Sequence, residues 1–345
     1  MHSSAKFRYN PAMPEDITQI QIDILDYMRK HPRSYFSSKK LCDKFELTAS
    51  KSDRAIAELE NWGYQLLRNK EGGIRYGSSP DVLFPHEITF GLGTKILGVN
   101  IYSFDRVGST NVIAHKYAEK DEPEGTVILA ERQTAGKGRL GRTWHSPAKR
   151  GIYLSMILRP QIAPSLAPGL SLIAALSIAK TLREYPGIKA TIKWPNDVLY
   201  DGRKLAGVLT ELAAEIDRIR YVIMGIGINA NHDESDFPVE LRDKAASLKI
   251  VSKSPVDRIK LTKLLLTFLE EHYQEYLSRG FKRLIKSIRS YSSVLGKSIT
   301  FRYDGNAVTG KAVDIDTNGL LVVEFEGKTL ALGSGEISLT ENYQS

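Results

Sequence analysis

From Asp16 to Lys30 apolar side chains recur at Ile17, Ile20, Ile24, Leu25 and Met28, the spacing of one helix face, and His31-Pro32 closes the run. Ser37–Phe45 predicts a second short helix, and Thr48 is placed to cap a third that reaches Asn61. That third helix turns Ile56 and Leu59 inward, with Trp62 just beyond, and presents Lys51, Ser52, Asp53 and Arg54 outward. Beyond Trp62-Gly63-Tyr64 the pattern changes to two short strands, Gln65–Arg68 and Gly73–Gly77, around Lys70-Glu71-Gly72. Three helices and a small wing describe a winged helix-turn-helix, whose third helix would enter a DNA major groove with Lys51, Ser52 and Arg54. A module that only packs against the rest of the chain would carry the same pattern. Met1–Pro14 reads as a flexible lead.

Ser78–Pro85 is a Ser/Pro-rich connector, and His86–Leu92 a candidate linking helix. Strands are expected at Leu97–Phe104, Thr126–Ala130, Ile152–Leu158 and Tyr221–Ile228. Helices are expected from Asn111 through Ala118 and at Leu166–Glu184, Asp257–Leu277 and Phe281–Tyr291, with Asp233–Lys253 as loop. The last segment alternates over Ser298–Tyr303, Val308–Ile315, Leu320–Phe325 and Lys328–Leu332, with turns at Asp304-Gly305 and Asn318-Gly319, the pattern of a small β-barrel. The fold class is α+β, divided into 1–80 (winged helix), 81–94 (linker), 95–292 (central domain) and 293–345 (barrel).

Glu131–Trp144 interrupts the strand pattern: Gly136, Gly138 and Gly141 alternate with Lys137, Arg139 and Arg142. Glycines let the backbone approach a ligand closely, and the cations neutralise an anion held there, so the stretch reads as a phosphate-cradling loop. The dinucleotide pattern needs a helix directly afterwards, and the Walker loop needs Ser or Thr after Gly-Lys. Neither follows here. An exposed basic turn is the plainer alternative, which the interleaved glycines disfavour.

Asp201-Gly202 between two apolar runs predicts a two-residue hairpin that sets Tyr200 opposite Arg203, Leu199 opposite Lys204 and Asp197 opposite Ala206. Asp197 and Lys204 then share a face as diagonal neighbours roughly 7–8 Å apart. Lys193 joins them if the strand runs unbroken through Pro195. Such a group is either a plain surface ion pair or a site for chemistry on anions. Ser109 or Thr110 is placed to cap the helix that follows, and Asn229 and Asn231 either bind a ligand or make a turn.

In a chain of 345 residues, 42% hydrophobic and 26% charged, no apolar run is expected to approach membrane-spanning length, and no signal-peptide region is evident. One cysteine, Cys42, excludes an internal disulfide and a cysteine zinc cluster, and suits a reducing, cytoplasmic compartment. The net charge of +8 suits polyanionic partners; Lys39, Lys40, Lys44, Lys51, Arg54, Arg68, Lys70 and Arg75 concentrate it in the N-terminal segment.

Gly136-Lys-Gly-Arg-Leu-Gly-Arg-Thr-Trp144, Lys193-Trp-Pro-Asn-Asp197, Arg203-Lys-Leu-Ala-Gly207, Gly225-Ile-Gly-Ile-Asn229 and, more weakly, Gly333-Ser-Gly-Glu-Ile337 stand in the order found in bifunctional bacterial biotin–protein ligases. Over nearly its whole length the chain resembles that family. The resemblance implies a class II synthetase-like central domain and an SH3-like C-terminal barrel. It also implies an enzyme that makes biotinyl-5′-AMP from biotin and ATP with Mg²⁺, then transfers biotin to a lysine of the biotin carboxyl carrier protein. In this resemblance Ser109, Thr110, Asn111 and Gln133 bind the biotin head group. Lys137, Gly138, Arg139 and Lys204 meet its carboxylate and the α-phosphate, with Lys193 supporting. Gly136, Gly141, Arg142, Trp144 and Asn229 serve the adenylate, and Asp197 orients Mg²⁺ or the incoming amine. Repression of transcription is implied too, by a homodimer formed with the adenylate as corepressor and bound to operator DNA. Two departures stand out: Lys137 replaces an Arg of the best-studied members, and the third helix opens Thr48-Ala-Ser-Lys51 without an Arg. A lipoate–protein ligase and a metabolite-sensing regulator without ligase activity are the rival readings.

Overall fold

The computed structural model of the protein describes residues 8–9, 17–333, 335 and 337–339. Chain order opens with a two-residue strand, β1 (Arg8–Tyr9), which pairs in parallel with Tyr102 and Ser103 of the central domain. Part of the expected flexible lead is therefore an edge strand. Next come α1 (Gln19–Lys30), α2 (Ser38–Phe45) and α3 (Ala49–Asn61), then the wing strands β2 (Gln65–Arg68) and β3 (Ile74–Ser78). Ser37 and Thr48 cap α2 and α3 through their hydroxyls. Ile24, Leu25, Met28, Phe36, Leu41, Ile56, Leu59 and Ile74 form a core belonging to this unit alone.

One position on α3 differs from the expectation. Ser52 does not face outward; it is fully buried, and its Oγ has no hydrogen-bond partner among the described residues. At 100° per residue it lies on the stripe of Ala55, Ile56 and Leu59, so the DNA-contacting role expected for it is withdrawn. Lys51 and Arg54 are exposed as expected, with Arg54 Nε 2.6 Å from Glu58.

The short helix α4 (Pro85–Thr89) leads into the central sheet. Its elements are β4 (Ile101–Val107), α5 (Thr110–Ala118), β5 (Val127–Gln133), β6 (Gly151–Leu158), α6 (Gly169–Arg183), β7 (Thr191–Lys193), β8 (Asp197–Tyr200), β9 (Arg203–Ala214) and β10 (Ile219–Asn229). The strand order is β1-β4-β5-β6-β10-β9-β8-β7, parallel at the β1–β4–β5 end and antiparallel elsewhere. Alternation along the strands sorts side chains between two layers. Leu129, Leu154, Met156, Val222 and Met224 join one core with α6, whereas Ile128, Ile157, Tyr221 and Ile223 pack against Ala114 and Ala118 of α5. Contrary to expectation, Pro164–Arg183 is long and apolar enough to cross a membrane; it lies mostly buried as the core helix of this domain.

The segment expected as loop holds two 3-10 turns and a short helix, α7 (Leu248–Ser252). Helices α8 (Arg258–Arg279) and α9 (Ile285–Tyr291) follow, then β11 (Ser298–Tyr303), β12 (Asn306–Ile315), β13 (Leu321–Phe325), β14 (Lys328–Leu332) and β15 (Ser338–Leu339). These five strands form an antiparallel sheet, β14-β13-β12-β11-β15, whose last strand returns to its first. Its Ile299, Phe301, Ile315 and Val323 continue the central core, and Trp194 Nε1 donates to Gly319 O at 3.0 Å. Ser334 and Glu336 of the C-terminal motif lie outside the described residues.

The stretch between the winged helix and the central domain is packed along α8. Arg258, fully buried, bonds Asp81 Oδ1 at 2.8 Å and Glu131 Oε2 at 2.7 Å. Lys263 Nζ donates to Phe90 O, and the Glu270 carboxylate accepts the backbone amides of Lys95, Ile96 and Leu97 at 2.6–2.8 Å. From the other side Glu87 receives Arg29 of α1, Tyr64 and Ser79. Burial opposes its ionisation, but the His86 ring, the Arg29 guanidinium and the Tyr64 hydroxyl hold its carboxyl well below the usual range. Leu83 and Ile88 fill the apolar space between. Arg258→Leu strands the Glu131 carboxylate without its cation and is expected to destabilise the protein by about 3–5 kcal/mol, read as a lower midpoint in urea unfolding.

Candidate active site

The glycine-rich loop folds as a tight ribbon. Gly138 N donates to Arg142 O at 2.7 Å, Trp144 N donates to Gly136 O at 2.9 Å, and Lys137 bridges to Thr143. A Cβ on Gly136 would lie 2.5 Å from Trp144 O, which is why the ribbon closes only on glycine. Leu140 and Gly141 make the tip with φ of 55° and 74°, leaving Leu140 largely exposed. Thr134 N and Ala135 N tie the near end of the ribbon to Val107 O and Gly108 O at the end of β4.

Beneath the ribbon, the β8–β9 hairpin departs from the expected register. Asp201 and Gly202 form the turn with positive φ, and Leu199 pairs with Lys204 as predicted. A bulge then inserts one residue, so Val198 pairs with Ala206 and Asp197 with Gly207 instead of Ala206. The extra residue puts Lys204 and Gly207 on one face although they are three apart. Gly207 has no side chain, and Lys204 reaches across to place Nζ 2.7 Å from Asp197 Oδ1. The expected diagonal neighbours are therefore in contact. Lys193 joins them differently as well: Trp194-Pro195-Asn196 reverses the chain, so Lys193 of β7 lies directly opposite Asp197 in an antiparallel pair. Asn196, within that turn, links both halves of the site. Its Oδ1 accepts from Arg139 Nη1 at 2.6 Å, and its Nδ2 donates to Asp197 Oδ1 at 3.0 Å.

At the other end, Ser109 occupies the N-cap of α5 without making a side-chain cap bond. The free Thr110 amide donates to Gln133 Oε1 at 2.8 Å, and Gln133 Nε2 donates to Ser146 Oγ at 3.0 Å. Asn111 lies over Gly225, where a Cβ would come within 2.1 Å of its Oδ1, and its Nδ2 donates to Glu211 Oε2 at 2.6 Å. Contact with His115, then with Asn111 and Lys137, holds the Glu211 carboxyl down at about 2. Between the two ends the Trp144 indole covers Gly207 and Gly227; a Cβ on Gly227 would lie 2.4 Å from it. Its Nε1 is buried with no partner among the described residues.

These groups enclose one cavity of about 700 Å³. Of the expected site residues, Ser109, Thr110, Asn111, Gln133, Lys137, Gly138, Arg139, Arg142, Trp144, Lys193, Asp197, Lys204 and Asn229 line it. Gly136 and Gly141 shape the ribbon without lining it. Lys137, Arg139, Arg142, Lys193, Lys204 and Lys244 face two carboxylates, Asp197 and Asp243, so the lining favours anionic ligands. Asn229 Nδ2 donates to Lys204 O at 3.2 Å. Among the described residues no three His, Cys, Asp or Glu side chains form a metal cage. Asp197 alone fits Mg²⁺ only as a partial ligand, the remaining oxygens coming from phosphate and water. Sequence reasoning assigned no role to Asn196, Ser155, Ser146 or Glu211, and did not see why Gly207, Gly225 and Gly227 are glycines. Gly225 and Gly227 carry a signal: glycines at alternate positions of an otherwise apolar strand.

Residues 103–229 match the Biotin/lipoate A/B protein ligase family, and residues 294–340 match the Biotin protein ligase C terminal domain. A Bacillus subtilis protein named bifunctional ligase/repressor BirA is 36% identical over 317 residues, 92% of this chain and 98% of its own. The chain belongs to the biotin protein ligase family. Another relative, the biotin--[acetyl-CoA-carboxylase] ligase of Mycobacterium tuberculosis, is 33% identical over 67% of this chain and 86% of its own. A solved biotin protein ligase from Aquifex aeolicus, in complex with biotin and ATP, superposes with a TM-score of 0.62 at 32% identity, covering 70% of this chain and 98% of that one. Within this biotin protein ligase fold the glycine floor sets the seat of Trp144. Gly227→Ala is expected to drive the indole off the sheet and shift tryptophan emission to the red; in a Gly227→Ala/Trp144→Phe double variant that shift disappears.

Proposed function

We propose that the protein is a biotin–protein ligase that activates biotin with ATP and passes it to a lysine of the biotin carboxyl carrier protein. The carrying observation is the chain Arg139–Asn196–Asp197–Lys204, which ties the glycine ribbon to a lysine inside the cavity through contacts of 2.6, 3.0 and 2.7 Å. A carboxylate and a triphosphate repel each other, and cations fixed in advance remove that barrier without reorganising at the moment of reaction. Lys204, with Lys193 beside it, draws the biotin carboxylate onto the α-phosphorus, and Arg139 and Lys137 cover the developing charge. Asp197 would hold Mg²⁺ together with the phosphates of ATP, where the ion would neutralise the departing pyrophosphate. Ser109, Thr110, Asn111 and Gln133 take the head group; Trp144, Arg142 and Asn229 take the adenylate. The ribbon shields the mixed anhydride from water. In the second half-reaction Asp197 accepts a proton from the incoming lysine amine, which attacks the acyl carbon and displaces AMP.

The chain is organised as a DNA reader (1–80), a connector (81–94), a catalytic domain (95–292) and a C-terminal domain (293–345), working in the cytoplasm. The exposed Lys51 and Arg54 on α3 and the basic wing favour transcriptional repression as a second activity, carried out by an adenylate-bound homodimer on operator DNA. Incubation with ATP, labelled biotin or lipoate, and an acceptor domain tests the reading: labelling with lipoate alone, or no labelling, overturns it. Lys204→Ala is expected to lower adenylate formation by about 10²–10³-fold in a pyrophosphate-release assay. Arg139→Gly is expected to speed adenylate dissociation in a chase experiment. Lys51→Ala is expected to weaken DNA binding evenly across sequences and lower the salt slope by about 1.

A further inference from the structure

Glu211 lies on the Gly207 side of β9 but does not line the cavity; it stands behind Asn111. Besides Asn111 Nδ2 at 2.6 Å, it has His115 Nε2 at 3.5 Å and Lys137 Nζ at 3.9 Å. An asparagine amide has nearly the same shape either way round, so its neighbours decide which end is nitrogen. A carboxylate accepts and never donates, and therefore admits only the NH₂ end. Asn111 Oδ1 is then turned to Ser155 Oγ at 2.5 Å, which donates to it. Ser155 has one proton. With that proton committed to Asn111, the 2.7 Å contact between Ser155 and Thr110 is made by the threonine hydroxyl donating, in preference to its longer 3.1 Å contact with Gln133 Oε1, which already accepts the Thr110 amide. One fixed acceptor outside the cavity thus orders a chain running Thr110 to Ser155 to Asn111 to Glu211. The hydroxyl of Thr110 keeps its lone pairs, and Asn111 keeps its second amide hydrogen, for a ligand.

We propose that Glu211 is a positioning residue that acts through Asn111 to set the donor–acceptor polarity of the pocket, matching it to the carbonyl and N–H groups of a cyclic urea. This rests on reading the cavity as the biotin pocket. Contact with His115 and Asn111 lowers the Glu211 carboxyl further below the usual carboxylate range, so it is an acceptor throughout the neutral range and the polarity holds. Glu211→Gln would lose it: a neutral amide in that place donates as readily as it accepts, and no longer selects the NH₂ end of Asn111.

Calorimetric titration of biotin into the full-length protein tests the proposal with Glu211→Gln, Asn111→Ala and the double variant. Glu211→Gln is expected to weaken binding about tenfold, the loss of one charge-assisted hydrogen bond. In the Asn111→Ala background the same change is expected to cost nothing further, because the residue it acts through is gone. Wild-type affinity in Glu211→Gln, or a double variant that sums the two losses, overturns the proposal. Ser155→Ala cuts the chain in its middle, and an unaltered biotin affinity there overturns it as well, whatever the fate of the Glu211 variant. If the wild-type protein itself fails to bind biotin, the reading of the cavity falls instead.

Discussion

Two anions that repel each other have to be held in contact, and that constraint organises the molecule. A lysine that does this must enter the cavity and be aimed. Lys204 enters the cavity and is aimed through the bulge in β9, which turns it to the Asp197 face, and through Gly207, which leaves it room to reach Asp197 at 2.7 Å. Asp197 is aimed in its turn by Asn196, which also takes Arg139. The ribbon and the hairpin are therefore tied to each other through Asn196.

The sheet beneath them separates support from chemistry by parity. Val222, Met224, Ile226 and Ile228 of β10 face the core, and of the positions between them Ile223 packs on α5 while Gly225 and Gly227 face the site. Removing the side chains there opens the space that Asn111 and Trp144 occupy. Apolar burial on one face, worth about 25 cal/mol per Å² of apolar surface, makes the floor rigid enough to hold polar groups on the other. A single strand thus carries both the stability and the vacancy that the pocket needs.

The N-terminal unit and the central domain are joined by bonded contacts. Buried Arg258 pairs with exposed Asp81 of the connector and with buried Glu131 of β5, two residues before Gln133 in the cavity lining. Glu87 answers with Arg29 and Tyr64 of the winged helix. Buried charges of this kind have steep geometric demands, because an unpaired ion in the interior is costly. They fix the entry of the chain into the catalytic domain more tightly than an exposed Ser/Pro-rich connector would.

Local chemistry was legible from the residues in order. Apolar spacing placed α1 to α3, Asp201-Gly202 marked its hairpin, and the glycine and cation alternation of 136–142 identified the loop, because each depends on neighbours a few positions away. What lay beyond reach depends on parity and on distant partners. The bulge between Leu199 and Val198 has no local signature, yet it decides that Asp197 meets Gly207; the turn at Trp194–Asn196 decides that Lys193 faces Asp197 across a pair and not along a strand. Ser52 looked exposed because a hydroxyl on a basic helix reads as surface, until the packing of α1 and α3 put it inside. Asn196, Ser155 and Glu211 reach the site through Arg139 and Asn111, residues 44 to 100 positions away, and such contacts exist once the chain has folded. The sequence alone determined which charges and glycines were available; the tertiary structure decided which of them touch, since contact between remote residues is a property of the packed sheet.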